Sequence, residues 1–423
     1  MDLILTVFLL TILSLLYLWV KRRFSYWKDL GFLQAEASFP FDDPLSANIL
    51  TLEGQEWRDR RVKLSPIFTS AKMKMMFEII DSIGDKFVNS LEKDMKLSNI
   101  CEMRQWCQRF TSDNIASTAF GLQSNCLEDS NSQFMKMGRR LFDLSTFEVI
   151  KFFASTAWPD LSRKLGILFT PKEAGDFFHH TFLQTFENRT KNPIERHDFV
   201  QLLLNLKDTF TPTELAAEAF LVYAGGFESS STLMQFTLYE LALNQDMQDR
   251  LRKELIEGIE ENDGKLTYDL IFSFKYLNMV IQESLRKYPP IPNTFRKATK
   301  DYQFPDTNLI IPKGTNIILN TYSLHRDPEY FPEPEKFDPE RFSAENVRNI
   351  RPYTMLPFAT GPRNCLGERF ALMQSKIGIT KLITNFVFMP CDKTTIPMKY
   401  VPSAPFLAPV NGIQLKVEKF KKD

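Results

Sequence analysis

Phe358-Ala359-Thr360-Gly361-Pro362-Arg363-Asn364-Cys365-Leu366-Gly367 is the stretch that decides the reading of this chain. One cysteine stands between two glycines, behind an aromatic residue and an arginine at fixed offsets. Gly361 and Gly367 let the backbone turn tightly and pass close to a flat ligand, which a Cβ would hinder. A thiolate in such a loop accepts backbone N–H hydrogen bonds and binds a soft or borderline metal. Phe358 is suited to shield the sulfur, and Arg363 to meet an anionic group at the ligand's edge. The chain continues Glu368-Arg369-Phe370-Ala371-Leu372-Met373, a good helix start, so Cys365 lies just ahead of a helix N-terminus. That end of a helix favours an anion, and therefore the thiolate.

Working outward, Thr211-Pro212-Thr213-Glu214 is a capping box with proline at the first helical position. Helical pattern runs from there to about Asn244, roughly 50 Å at 1.5 Å per residue. In its middle stands Ala224-Gly225-Gly226-Phe227-Glu228-Ser229-Ser230. Each interior glycine costs about 1 kcal/mol against alanine. The pair therefore implies a bend, a close approach of backbone to something else, or a small-residue packing contact. Glu283-Ser284-Leu285-Arg286 puts a carboxylate and a guanidinium on one helix face, ahead of Pro289-Pro290, and Pro339-Glu340-Arg341-Phe342 follows about fifty residues later. Residues 308–319 read as two strands around a turn. Trp57-Arg58-Asp59-Arg60-Arg61 spaces a tryptophan and an arginine one helical turn apart.

Together, in this order and with these gaps, the motifs resemble the cytochrome P450 family, microsomal insect-type detoxifying members in particular. The loop matches F-x-x-G-x-R-x-C-x-G, and residues 224–229 match A/G-G-x-D/E-T with serine where threonine is usual. The resemblance implies a mainly α fold with small β-sheets, a long central helix and a haem b whose iron takes the Cys365 thiolate as axial ligand. It implies that Trp57, Arg61, Arg296 and Arg363 hold the propionates, with Phe358, Gly361 and Gly367 forming the loop around the sulfur. Glu228 and Ser229 are implied to bring protons and an ordered water to dioxygen, the catalytic pair. Glu283, Arg286 and Arg341 are implied to form a buried network that holds the cysteine loop. Phe220, Phe227, Ile291, Thr294 and Phe406 are expected to line an apolar pocket.

The function so implied is a haem-thiolate monooxygenase acting on lipophilic xenobiotics, hormones or lipids. Its electrons would come from NADPH through NADPH–cytochrome P450 reductase, with cytochrome b5 as a further donor. Two other readings stay open: a reductase-independent haem-thiolate isomerase or dehydratase, and a catalytically impaired, shortened member of the family.

Composition agrees with this class. The 423 residues carry 52 basic and 52 acidic side chains, so nothing calls for nucleic acid. Thirty-eight phenylalanines suffice for a large apolar interior. Cys101, Cys107, Cys126, Cys365 and Cys391 contain no C-x-x-C pair, which argues against a disulfide framework and against covalently attached haem. His179 and His180 adjoin on a helical stretch, point to different sides and are read as structural.

Residues 3–20 are an apolar run long enough to span a bilayer, followed at once by Lys21-Arg22-Arg23. The expectation is an anchor over 1–23 in the endoplasmic reticulum membrane, a hinge over 24–41 and a cytosolic catalytic domain over 42–423. In the family, several tens of residues separate the hinge from the loop at 42–48. They are missing here, so the N-terminal part of the fold is expected to be incomplete.

Overall fold

The computed structural model describes residues 45, 48–145, 147–151, 170–193, 196–402 and 404–421. The expected anchor and hinge lie outside these. Among the described residues no helix is long and apolar enough to cross a membrane. Among the described residues helices dominate, with three small sheets, as the motifs imply.

The helices that build the site are α1 (Gly54–Leu64), α2 (Ser70–Met95), α3 (Met103–Ala119), α4 (Pro212–Leu243), α5 (Gln245–Glu261), α6 (Lys275–Lys287) and α7 (Glu368–Asn385). Of these, α4 is the longest, at 32 residues. It starts where the sequence says it should: Thr211 Oγ1 accepts from Glu214 N at 3.2 Å, and Glu214 Oε2 accepts from Thr211 N at 2.8 Å. It ends at Asn244, whose side-chain amide donates to the Glu240 carbonyl at 2.8 Å. Most positions between Leu215 and Ala242 are buried, and every one from Ser230 to Ala242, because α3 and α7 pack on the helix. At about 1.5–3 kcal/mol for each fully buried large apolar side chain, this core supplies most of what orders the helix.

The packing is tight. A methyl group added at Gly378 of α7 would overlap Met234 of α4 and Phe110 of α3. Phe110 in turn stacks on Phe87 of α2 at 4.9 Å between centroids. Helix α1 is fixed to the start of α4 by the buried Arg60, which lies 2.5 Å from Glu214 and 3.5 Å from Glu218. All five cysteines are free thiols.

The strands are β1 (Ile100–Glu102), β2 (Asn293–Lys297), β3 (Tyr302–Gln303), β4 (Ile310–Ile311), β5 (Asn316–Asn320), β6 (Phe386–Met389) and β7 (Gln414–Lys419). All pairs are antiparallel, in the order β1-β7-β6, with β2-β5 and β3-β4 as separate two-stranded sheets. The two strands expected around the turn in 308–319 are present as β4 and β5, but they do not pair with each other. Gly314, at φ +88, turns the chain away, and its N–H donates to Ala298 O at 2.7 Å, so β5 is handed to β2 instead. In that sheet Thr294 faces Leu319 and Arg296 faces Ile317.

Candidate active site

The site is anchored from below by a buried ion pair. Glu283 and Arg286 on α6 have no exposed surface, and the guanidinium grips the carboxylate twice, Nε to Oε2 and Nη2 to Oε1, both at 2.7 Å. Removing such charges from water is costly unless every polar atom finds a partner. Here Arg286 also donates to the carbonyls of His325 (2.9 Å), Pro334 (2.9 Å) and Lys336 (3.2 Å), while Glu283 Oε1 accepts from Asp338 N at 2.9 Å. Arg341 completes the set 3.5 Å from the same oxygen. Burial still holds the Glu283 carboxyl above its ordinary range, with Arg286 opposing it. His325 reaches from this network to the cysteine loop, taking the N–H of Leu356 on Nε2 at 2.8 Å. The sequence reading missed it: a lone histidine before Arg326-Asp327-Pro328 carries no signal of its partners.

From Leu356 the loop runs to Gly367. Ala359 N donates to Leu356 O at 3.1 Å, Cys365 N to Phe358 O at 2.9 Å and Asn364 N to Gly361 O at 3.0 Å. Gly361 is needed for its conformation, φ +78. Gly367 has an ordinary φ of −88 and caps α7 without a side-chain bond. A Cβ on Gly367 would come no nearer than 3.9 Å to any atom, and one on Gly361 would meet nothing within 4 Å. The loop thus leaves room on one side that the chain itself does not fill. Phe358 is half-buried against the core.

Cys365 is exposed on that open side, yet enough protein surrounds the sulfur that burial pushes its thiol up to about 11. The N–H of Gly367 and the charge of Arg61 act the other way, and Glu368 adds to the rise. In the chain by itself, desolvation thus outweighs the Gly367 N–H and the Arg61 charge. A metal cation would reverse the balance, since a coordinating thiol is deprotonated outright.

Three guanidiniums converge beside the loop. Arg61 of α1 donates to Asn364 O at 3.0 Å and to Asn364 Oδ1 at 2.8 Å. Arg363 donates to Leu52 O at 2.6 Å and lies over the Trp57 ring, 4.4 Å from its centre. Arg296 of β2 donates to Phe295 O at 2.8 Å and reaches Arg363 O at 3.5 Å. None of the three forms an ion pair among the described residues. Burial holds all three below the usual arginine range; for Arg363 the charge of Glu53 opposes this, and those of Arg296 and Arg61 add to it. Three partly buried cations that form no ion pair among the described residues, with only the Glu53 charge acting on Arg363, are matched by an anionic ligand edge, such as two carboxylates. That charge pattern, together with the open face at Cys365, fits haem b.

The two glycines of α4 have different neighbours. A Cβ on Gly226 would press on Ile115 Cδ1 at 3.0 Å, so that glycine serves helix packing. One on Gly225 would meet nothing within 4 Å, so that glycine borders open space. Gln374 of α7, which sequence reasoning did not single out, donates to Gly226 O at 3.1 Å and Ser230 Oγ at 2.7 Å. Glu228 and Ser229 adjoin in sequence but are engaged apart. The Glu228 carboxylate is buried and held on α3, by Arg104 at 2.9 Å and Gln108 at 2.8 Å. The Ser229 hydroxyl is half-exposed and donates to Gly225 O.

Of the expected lining residues, Thr294 borders a small recess with Arg296, Leu319, Leu356, Ala359 and Thr360. Phe227 stacks on Phe142 at 5.9 Å, which meets Phe406 edge-on at 5.1 Å. Phe220 is buried against Phe178 at 5.7 Å, and Ile291 is exposed.

Comparison with known proteins agrees with this geometry. The family model described as Cytochrome P450 matches residues 28–417. "Probable cytochrome P450 6a13" of Drosophila melanogaster is 41% identical over 402 residues, covering 94% of this chain and 80% of that protein. "Cytochrome P450 6a2" of the same fly is 40% identical over 396 residues, covering 89% and 78%. "Cytochrome P450 6A1" of Musca domestica is 38% identical over 394 residues, covering 90% and 77%. The chain thus spans about four fifths of the length of these relatives. A family match over most of its residues, and insect relatives of this identity, make the chain a member of the cytochrome P450 family.

Proposed function

We propose that this monooxygenase oxidises lipophilic foreign compounds, with hormones and lipids as further candidates, using electrons from NADPH passed on by a membrane flavoprotein reductase. Proteins of this family bind haem b through a cysteine thiolate, and Cys365 is the ligand we assign. Haem b supplies the iron and, with the thiolate, the electron density that favours O–O cleavage. Trp57, Arg61, Arg296 and Arg363 hold its propionates. Phe358 and the turn at Gly361 shield and orient the sulfur, and Gly367 leaves the ligand room. The observation that carries the reading is the cluster of three guanidiniums, forming no ion pair among the described residues, beside the open face of Cys365.

Ser229 Oγ donates to Gly225 O, which leaves its lone pairs free to accept from a water. By exchanging that bond it moves a proton toward the reacting oxygen. Glu228 is proposed as the second member of this pair, its carboxylate engaged by Arg104 and Gln108 on α3. Phe142 and Phe406, backed by the fully buried Phe227, are proposed as an apolar wall that excludes water and binds substrates by shape. The chain is proposed to work at the endoplasmic reticulum membrane, with residues 1–23 as anchor, 24–41 as hinge and 42–423 as cytosolic catalytic domain.

A second reading, a haem-binding member with impaired turnover, has one observation in its favour. Phe295 and Ile318 face each other across β2 and β5 and are exposed, as are Tyr302, Phe304, Leu309 and Ile310 nearby. An apolar face of this kind is normally covered. One experiment separates the readings: the carbon monoxide difference spectrum of the reduced protein, followed by turnover with reductase, NADPH and a panel of lipophilic substrates. A thiolate-type band with product supports the monooxygenase, and a thiolate-type band without product supports the second reading. Cys365→Ser should lose the band and all turnover, and full activity in that variant would overturn the assignment.

A further inference from the structure

His325 follows the short helical turn Thr321–Leu324 and has no exposed surface. Both ring nitrogens are engaged: Nδ1 lies 3.2 Å from the carbonyl of Arg286, and Nε2 is 2.8 Å from the backbone N of Leu356. A carbonyl only accepts and an amide N–H only donates. The ring is therefore neutral, with its proton on Nδ1. Burial lowers its pKa to about 4, with the charges of Arg286 and Arg326 acting in the same direction.

The two bonds join two particular places. The Arg286 carbonyl belongs to the last turn of α6, where helix carbonyls lack intrahelical partners. The Leu356 N–H opens the irregular stretch that leads to Cys365. Leu356 O takes Ala359 N, and Phe358 O takes Cys365 N, so an error at Leu356 passes along the loop. The His325 main chain is tied separately, its carbonyl accepting from Arg286 Nη1 at 2.9 Å. Side-chain substitution therefore leaves that link standing.

We infer that His325 is a positioning residue for the cysteine loop, its imidazole spacing Leu356 from the end of α6 and so setting where the Cys365 sulfur stands. The inference rests on Cys365 being the iron ligand. It assigns His325 no contact with haem, dioxygen or substrate.

Methionine and glutamine separate shape from hydrogen bonding here. They are close in size, but only glutamine can take the Leu356 N–H while donating to Arg286 O. In the full chain without haem, amide hydrogen exchange is followed on peptides covering 352–362 and 276–288. His325→Met should speed exchange at Leu356 at least tenfold, with the 276–288 peptide unchanged, and His325→Gln should restore protection. With haem added, the reduced carbon monoxide spectrum of His325→Met should carry a larger share of the band without thiolate ligation than wild type or His325→Gln. Unchanged exchange at Leu356 in His325→Met overturns the inference. So does equal loss of protection in both peptides in both variants, which marks a residue that only fills the core. If His325→Met does not fold, His325→Gln decides alone: wild-type protection at Leu356 supports the inference, and its loss overturns it. A wild-type chain that takes up haem without a thiolate band refutes the ligand assignment, while the exchange data still report on the histidine.

Discussion

Arg61 donates twice to Asn364, from Nη1 to the backbone carbonyl at 3.0 Å and from Nη2 to the side-chain oxygen at 2.8 Å. The helix that carries Trp57 is thereby clamped to the residue just before Cys365, across 303 positions of sequence. One guanidinium thus serves the loop and faces the corner assigned to the propionates. Hydrogen bonds to charged groups are worth about 1.5–3 kcal/mol. Arg61→Ala should weaken haem retention by roughly 10- to 100-fold, since 1.4 kcal/mol is a factor of ten. Haem transfer to apomyoglobin measures this, and an unchanged transfer rate removes Arg61 from the cradle.

Much of this was legible in local sequence. The loop around Cys365, the capping box at Thr211 and the glycine pair of α4 are short-range patterns with short-range causes. What stayed hidden depends on partners far along the chain. Arg104 and Gln108 meet Glu228 across more than a hundred residues, and no periodicity announces that pairing. The different duties of Gly225 and Gly226 appear only once Ile115 is packed against one of them. Strands β4 and β5 were visible as strands, but their partners β3 and β2 were set by the turn at Gly314. The desolvation that raises the Cys365 thiol in the chain alone was not legible for a similar reason, because burial is a property of the assembled fold.

Arg286→Ala should prevent haem incorporation. The substitution leaves Glu283 charged, buried and without its main partner, which costs about 3–5 kcal/mol. That is a large part of a domain stability of about 5–15 kcal/mol. Lys253→Ala, at the exposed pair with Glu257, is the control and should change stability by less than about 1 kcal/mol. Haem content per folded chain is the measurement. Normal haem in Arg286→Ala would show that the network does not hold the loop.

Ser229→Ala should keep haem and substrate binding but lose coupling, consuming NADPH while releasing peroxide in place of product. The motive is the half-exposed hydroxyl beside Gly225, where α4 borders open space. Product and peroxide per NADPH are counted together. An unchanged ratio would mean that Ser230 or water alone carries the proton.

The last prediction concerns acid stability. Burial holds the His325 pKa at about 4, below its ordinary 6.5, so between these values the unfolded chain binds a proton that the folded chain refuses. Stability from this group is complete above about pH 6.5 and is lost as pH falls toward 4. The gap corresponds to on the order of 3 kcal/mol. Glu218 works in the opposite sense: burial raises its carboxyl to about 7, so the folded chain takes up a proton first and gains stability as pH falls from there. A raw pH profile therefore mixes opposing contributions. The difference between wild type and His325→Gln removes everything the two chains share, Glu218 included. Urea unfolding between pH 7 and pH 4 should show wild type losing on the order of 3 kcal/mol more than the variant. Parallel curves would mean that the imidazole is charged or solvated in the folded chain, against the neutral form its two partners require.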